Sequence, residues 1–112
     1  MAMPDYIPAH DKKMATRLVD EALRRGYTIS VNDGEEWTVK RSTVRAEILA
    51  AMGSTEMDVI KVREKPAEEG DVAKFVGCFD LVWNNDPGDT IADHTANAEC
   101  ESLYAHAAQP FN

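Results

Sequence analysis

Two stretches of this chain follow one pattern, and that pattern constrains the fold more than any other feature. Both "GYTISVNDGEEWTVKRS" (26–42) and "GCFDLVWNNDPGDTIADHT" (77–95) contain a glycine, an apolar strand, an Asn-Asp turn, a second strand and a hydroxyl residue before a helix. Apolar residues that alternate on both sides of a short turn are typical of β-hairpins. The repeat therefore predicts two β-β-α units.

A helix with one apolar stripe precedes the first hairpin. Apolar residues spaced three and four apart indicate an amphipathic helix, and Gly26 favours its end. In the hairpin, apolar residues alternate along the first strand and are expected to continue on the same face after the "NDG" turn. The helical stripe comprises Met14, Leu18, Val19, Ala22 and Leu23. The apolar set of the hairpin comprises Tyr27, Ile29, Val31, Trp37 and Val39.

A second helix and two further strands follow. Ser42 or Thr43 is expected to cap this helix, which should run about three turns and stop at Gly53. "MDVIKVRE" (57–64) is rich in β-branched residues and predicts a third strand. "VAKFVGCFDLVW" (72–83) is apolar on both faces, which is typical of a central strand. The residues of helix 2 expected to point inward are Val44, Ile48, Leu49 and Met52. One face of the fourth strand comprises Phe75, Gly77, Phe79, Leu81 and Trp83, and the other comprises Val76, Cys78 and Val82.

The chain then closes with a short strand, "TIAD", and a third helix that Thr95 or Asn97 is expected to cap. The elements together predict an α+β fold: a mainly antiparallel sheet of four to five strands with three helices, in the order α-β-β-α-β-β-β-α. We expect a single domain over residues 1–112, with residues 1–8 as a tail.

The net charge of −8 belongs to one part of the chain. Residues 1–65 contain eleven Lys and Arg against eleven Asp and Glu, whereas residues 66–112 contain one lysine against nine acids. Such a field repels nucleic acids and membrane surfaces and favours a basic partner. The sequence has no apolar run of membrane-spanning length and no signal-peptide pattern, which indicates a soluble cytoplasmic protein.

The stretch "NNDPGDTIADHT" (84–95) places Asp86, Asp89, Asp93 and His94 close together in the chain. Their spacing and the missing final glutamate do not fit an EF-hand, and one histidine is too few for a zinc site. Asn-Asp-Pro-Gly is a strong turn signal, so an acidic turn is the favoured interpretation. A cation-binding module, or a small metal-assisted enzyme that uses these four residues, is the alternative.

Elsewhere the sequence contains no P-loop, GxGxxG, GxSxG or HExxH motif. Cys78 and Cys100 are 22 residues apart without a CxxC pattern and are expected to be buried free thiols. The basic segment "KRSTVRAE" (40–47) could contact phosphate, but the acidic excess opposes direct binding of nucleic acid. Trp37 and Trp83 are expected to pack in the core. The sequence therefore predicts neither an enzyme nor a cofactor site.

The chain resembles a group of small acidic proteins encoded by phages and prophages. The likeness lies in "ISVNDGEEWTVKRSTVRAEILAAMGSTEMDVIKVR" (29–63) and "LVWNNDPGDTIADHTAN" (81–97), and it extends over roughly residues 9–105. His94 stands where that group has an aromatic tyrosine. The resemblance carries over no catalytic residue. It implies a protein that acts by occupying a surface of a host protein, such as a CRISPR effector, a restriction complex or a polymerase.

Charge and resemblance together predict a non-enzymatic phage-type protein that binds and inhibits or modulates a host protein in the bacterial cytoplasm, as an anti-CRISPR protein does. Its acidic surface should meet a basic or nucleic-acid-binding surface of the partner, without direct contact to nucleic acid or membrane. A virion or assembly component whose sheet edge drives oligomerisation is a further alternative. The predicted partner-binding residues are Asp80, Asp86, Asp89, Asp93, Glu99 and Glu101. No metal ligand and no cofactor are expected.

Overall fold

The computed structural model is an α+β fold in which three helices lie against one face of a five-stranded antiparallel sheet. The structure describes residues 3–65, 74–85 and 89–109. The predicted fold class and the order α-β-β-α-β-β-β-α are confirmed. The helices are α1 (Ala9–Arg24), α2 (Arg45–Ala50) and α3 (Ala98–Ala107). The strands are β1 (Tyr27–Asn32), β2 (Trp37–Ser42), β3 (Met57–Glu64), β4 (Phe75–Val82) and β5 (Ile91–His94).

The strands are arranged in the order β2-β1-β3-β4-β5, and every neighbouring pair is antiparallel. β3 lies in the centre, with the β1–β2 hairpin on one side and the β4–β5 hairpin on the other. One helix follows each hairpin in the chain, so the two predicted β-β-α units flank β3 symmetrically. None of the helices in the described part of the chain is long and apolar enough to cross a membrane.

The hydrophobic core lies between the helices and one face of the sheet. Successive strand residues point to opposite faces, and fully buried residues occupy alternate positions, such as Ile29 and Val31 in β1 and Ile60 and Val62 in β3. Among the described residues, no helix packs on the opposite side of the sheet, which we call the uncovered face. Residues on the uncovered face include Ser30, Val59, Lys61, Cys78 and Asp80.

α1 carries the predicted apolar stripe, and Gly26 follows it with a φ of 85°, which glycine adopts without steric cost. Near the end of α1, the buried Glu21 connects this helix to α3. Its carboxylate accepts hydrogen bonds from Arg24 at 2.8 Å and from Arg25 at 2.9 Å, and Arg25 also donates to Ser102 of α3 at 2.8 Å. The hydrogen bonds from Arg24 and then Arg25 outweigh the effect of burial and lower the pKa of Glu21 from 4.5 to about 2.

Replacing Glu21 with glutamine is expected to flatten the acid dependence of folding stability. Because the pKa of Glu21 is lowered in the folded chain, its carboxylate stabilises the fold above pH 4.5, and this contribution is lost as the pH falls from 4.5 to about 2. Urea unfolding should show a deficit of about 1 kcal/mol at neutral pH that shrinks on acidification. Glu47→Gln, at an exposed position of α2, is the control. A deficit that does not change with pH would contradict this role of Glu21.

α2 is shorter and begins later than the sequence predicts. It spans six residues rather than about three turns, and its N-cap is Val44 rather than Ser42 or Thr43. The Oγ atom of Ser42 instead accepts a hydrogen bond from the backbone amide of Val44 at 3.0 Å. Val44 lies before the first helical turn in an extended conformation, so its side chain does not continue the apolar stripe of the helix. Val44 is 54% exposed, whereas the sequence predicts that it points inward. Ile48 and Leu49 are buried as predicted.

α3 begins at the predicted cap. The Oδ1 atom of Asn97 accepts the backbone amide of Cys100 at 2.8 Å, and its Nδ2 atom donates to the carbonyl oxygen of Val76 at 2.8 Å. One side chain therefore starts the helix and also attaches it to β4. The side chain of Thr95, the other predicted cap, instead accepts a hydrogen bond from the backbone amide of Cys78 at 3.0 Å.

Residues 3–8 pack against the fold and do not form the predicted tail. Ile7 is buried, and the Tyr6 hydroxyl lies 2.8 Å from the carbonyl oxygens of both Gly53 and Thr55, to which it can donate. Gly53 has a φ of 86°, and a Cβ atom there would lie 2.6 Å from Cδ1 of Ile7. The glycine therefore lets the N-terminal segment approach the loop after α2 and bury its apolar side chains.

Candidate functional site

Two aromatic residues, Trp37 and Phe75, lie on the uncovered face, away from the core. Trp37 is 36% exposed, so its predicted place in the core is wrong, whereas Trp83 is 4% exposed as predicted. Phe75 is 46% exposed and does not share a face with Gly77, Phe79 and Leu81 as predicted. The cause is an irregularity in the pairing of β2 with β1 and of β4 with β3, where Thr38 and Val76 are the extra residues. Because an extra residue reverses the face that its neighbours occupy, both rings turn away from the core.

A shallow pocket of about 310 Å³ opens on the uncovered face over β1, β2 and β3. The ammonium of Lys61 lies 5.0 Å from the ring centroid of Trp37 and 5.9 Å from that of Phe75, so one cation contacts two aromatic rings. The guanidinium of Arg63 also lies 5.9 Å from the Phe75 centroid. We call this the basic pocket. Its lining residues are Ser30, Trp37, Lys40, Arg41, Lys61 and Arg63.

A pair of carboxylates lies on the other side of the same face. Asp80 in β4 and Asp93 in β5 are directly opposite each other in the antiparallel register, and we call this pair the acidic margin. With Cys78, His94 and Thr95 they line a second depression of about 180 Å³. Like charges in directly opposite positions of a sheet are destabilising. The acidic margin is therefore a feature that lowers folding stability.

An apolar strip borders the acidic margin on the uncovered face. Met57 at the start of β3 is 38% exposed, and it is paired with the half-buried Val82 of β4. Val59, also half-buried, is paired with Asp80. An apolar centre with charged and polar surroundings is the usual anatomy of a protein interface.

The other predicted partner-binding residues lie apart from the acidic margin or outside the described structure. Asp86 is outside the described residues. Asp89 is exposed just before β5, and Glu99 lines a separate depression at the start of α3. Glu101, also in the first turn of α3, has its Oε1 atom 2.8 Å from Nε2 of His94. The structure thus brings together the two residues of the acidic margin and places these three elsewhere.

The loop between β4 and β5 is attached to α1 by a buried carboxylate. Asp11 is 2% exposed and accepts hydrogen bonds from the Thr90 hydroxyl at 2.5 Å and from the backbone amide of Asn84 at 2.9 Å. Asn84 has a φ of 62°, a conformation in which asparagine is enriched. These contacts attach the described residues on both sides of the predicted turn to α1, whereas residues 86–88 of that turn lie outside the described structure.

The described residues of the alternative cation site do not converge. Asp93 and His94 are adjacent in β5 and therefore point to opposite faces. Asp93 lies on the uncovered face, whereas the His94 ring stacks on Tyr104 of α3 with 4.8 Å between centroids. Within the ranges 3–65, 74–85 and 89–109, no group of three or more His, Cys, Asp or Glu residues is placed to hold a metal ion.

The two cysteines are free thiols. Cys100 is buried as predicted, but Cys78 is only half-buried because it lies on the uncovered face. Burial raises the pKa of both thiols above the usual value of 9.0. The protonated form therefore predominates at neutral pH, which disfavours a role for either cysteine as a nucleophile.

The sequence did not predict the basic pocket, although it placed Lys40 and Arg41 in a basic segment that could contact phosphate. Lys61 and Arg63 alternate with the apolar residues of β3, and this parity already places both cations on one face. The positions of Trp37 and Phe75 depend on bulges that the apolar alternation does not reveal.

In comparisons with known proteins, the chain matches no protein-family model, no curated protein and no solved structure. Its function is therefore inferred from the geometry and the charge of the uncovered face.

Proposed function

We propose that the protein is a non-enzymatic binding protein that docks on a host protein through the acidic margin of its uncovered face. The observation that carries this proposal is the direct opposition of Asp80 and Asp93 on a sheet face that no described helix covers. Repulsion between the two carboxylates opposes folding, but cations supplied by a partner would convert it into attraction. The pair is thus better suited to a complex than to the isolated chain.

The apolar strip beside the acidic margin supports the same proposal. Charge complementarity chiefly speeds association and selects the partner, whereas buried apolar contacts supply most of the affinity. Met57 on the neighbouring strand β3 and Val82, two residues from Asp80 on β4, offer such contacts beside the carboxylates. Because they lie on regular strands, the partner meets a rigid surface and little conformational entropy is lost on binding.

The partner that fits this surface presents basic groups around an apolar centre. Proteins that handle nucleic acids carry such basic surfaces where they contact phosphate. The resemblance of residues 9–105 to small acidic phage proteins and the acidic excess of residues 66–112 both favour a host target of this kind, such as a CRISPR or other defence complex. Occupation of its basic surface would inhibit or modulate that target.

Neutralising the acidic margin should weaken capture of the partner at least tenfold, on the order of 1.4 kcal/mol. The measurement is a pull-down from a lysate of the bacterial host with tagged wild type and with the variant Asp80→Asn/Asp93→Asn, at low and high salt. Capture by wild type should fall at high salt, and the variant should lose most of this dependence. Because like-charge repulsion is removed, the variant should be as stable as wild type or slightly more stable.

A charge-matched control separates the acidic margin from net charge. Asp89→Asn/Glu99→Gln changes the net charge equally but alters exposed residues outside the acidic margin. It should capture the partner like wild type. Equal losses for both variants would assign the effect to overall charge, and undiminished capture by Asp80→Asn/Asp93→Asn would overturn the proposal.

A further inference from the structure

The basic pocket has a charge opposite to that of the whole chain. Four of its six lining residues are cations, no acidic residue is among them, and the chain carries a net charge of −8. Lys40, Arg41 and Lys61 form no ion pair with a carboxylate in the described part of the chain. These three cations repel one another, so an anion bound among them would stabilise the folded chain.

Several acids of the same part of the chain are buried and lie outside the basic pocket. Residues 1–65 contain equal numbers of acids and bases, but Asp11, Glu21 and Asp58 are 2%, 5% and 0% exposed. Their carboxylates accept hydrogen bonds within the fold. The surface formed by this part of the chain is therefore more basic than its composition indicates.

The pocket is held in place by three neighbouring strands. Ser30 in β1 lies directly opposite Lys61 in β3. The backbone amide of Arg41 in β2 donates to the Ser30 hydroxyl at 2.9 Å, and Arg41 has a φ of 50°, which is unusual for a residue other than glycine. A site whose backbone is fixed in this way loses little entropy when a ligand binds.

Trp37 adds a planar apolar surface beside the cations. Lysine and arginine form strong hydrogen bonds with phosphate, and nucleobases stack on exposed aromatic rings. The volume of about 310 Å³ lies at the lower end of the range for small-ligand sites. We propose that the basic pocket binds a mononucleotide, with its phosphates near Lys40, Arg41 and Lys61 and its base against the indole of Trp37.

A nucleic-acid strand fits the same face less well. The cations lie on β2 and β3, and the next strands carry the carboxylates of the acidic margin. A polyanion that continued across the sheet would meet those carboxylates and the negative field of the whole chain. A mononucleotide keeps all of its charge within the basic pocket. This inference uses residues other than those of the proposed protein-binding site.

Isothermal titration of the full chain with ADP tests the proposal, with inorganic phosphate as the probe for the anion alone. ADP should bind with a saturable heat, and phosphate should bind at least tenfold more weakly because it lacks a base. Lys40→Gln/Lys61→Gln should weaken ADP binding at least tenfold. ADP should also change the tryptophan fluorescence through Trp37, since Trp83 is 4% exposed, and Trp37→Leu should remove that change.

Lys12→Gln/Lys65→Gln lowers the net charge equally at sites outside the basic pocket and should bind ADP like wild type. The absence of ADP binding at millimolar concentration, or equal losses in the two lysine variants, would overturn the proposal. An oligothymidylate or a polyglutamate peptide that binds tenfold more tightly than ADP would overturn it in favour of a macromolecular ligand. Asp80→Asn/Asp93→Asn should retain ADP binding, so this proposal and the protein-binding proposal fail separately.

Discussion

Replacing Asp58 with alanine should lower the free energy of unfolding by about 4 kcal/mol. Asp58 is fully buried in β3, and its Oδ2 atom accepts the backbone amide of Gly53 and the indole N–H of Trp83, both at 2.8 Å. Alanine would leave both donors buried without an acceptor, and each such group costs on the order of 1–3 kcal/mol. Urea unfolding followed by circular dichroism measures the loss.

Asp58→Asn is the matched variant for this experiment. An asparagine carbonyl can accept both hydrogen bonds, and the substitution removes a buried negative charge, so stability should stay within about 1 kcal/mol of wild type at neutral pH. The Oδ1 atom of Asp58 has no hydrogen-bond partner among the described residues. The asparagine amide would therefore lack an acceptor there, which limits any gain. An alanine variant as stable as the asparagine variant would contradict the role of the two hydrogen bonds.

Asp58 and Glu21 should affect the pH dependence of stability in opposite directions. Burial raises the pKa of Asp58 above 3.8, although the hydrogen bonds from Gly53 and Trp83 offset part of the effect. The folded chain therefore binds this proton more readily than the unfolded chain, and ionisation of Asp58 lowers stability as the pH rises through its folded pKa. Asparagine cannot ionise. The stability of Asp58→Asn relative to wild type should accordingly increase with pH.

Local periodicity was sufficient to predict the order of the elements. The apolar stripe of α1, the glycine that follows it and the alternation in β3 depend on residues close in the chain. The start of α2 was not predicted because the Ser42 hydroxyl bonds the amide of Val44 and leaves that residue as the N-cap. The buried roles of Asp11 and Asp58 were not predictable from local patterns, because their partners Asn84, Thr90 and Trp83 are distant in sequence.

The two sides of the uncovered face differ in how far the sequence reveals them. The charge distribution pointed to Asp80 and Asp93, but only the register of β4 and β5 shows that these two carboxylates face each other. The basic pocket depends on the extra residues Thr38 and Val76, which reverse the faces of their neighbours without any marked change in composition. The equal numbers of acids and bases in residues 1–65 also gave no indication of the basic pocket, because burial removes some of those acids from the surface.

Replacing Gly77 with alanine should lower the free energy of unfolding by about 3 kcal/mol through overpacking, although alanine is normally the better residue in a strand. Gly77 is buried and paired with Val62, and a Cβ atom there would overlap with Sγ of Cys100 and lie 3.1 Å from Cβ of Thr95. Cys100 is fully buried, and its thiol lies 3.6 Å from the carbonyl oxygen of Val76. The sulfur has no exposed side to move toward, so α3 would have to shift away from β4.

A second substitution shows whether that contact is the cause. Cys100→Ala alone should lower the free energy of unfolding by about 1 kcal/mol, because a buried atom is lost. In the Gly77→Ala background the same substitution should instead raise the free energy of unfolding by at least 1 kcal/mol, so the two substitutions are coupled. Cys100→Ser keeps an atom at the same position and should restore nothing. Equal stability of Gly77→Ala and the Gly77→Ala/Cys100→Ala variant would assign the effect to the strand backbone instead. Restoration would show that the glycine exists to let α3 lie close to β4, the arrangement that buries this side of the sheet and leaves the opposite side for binding.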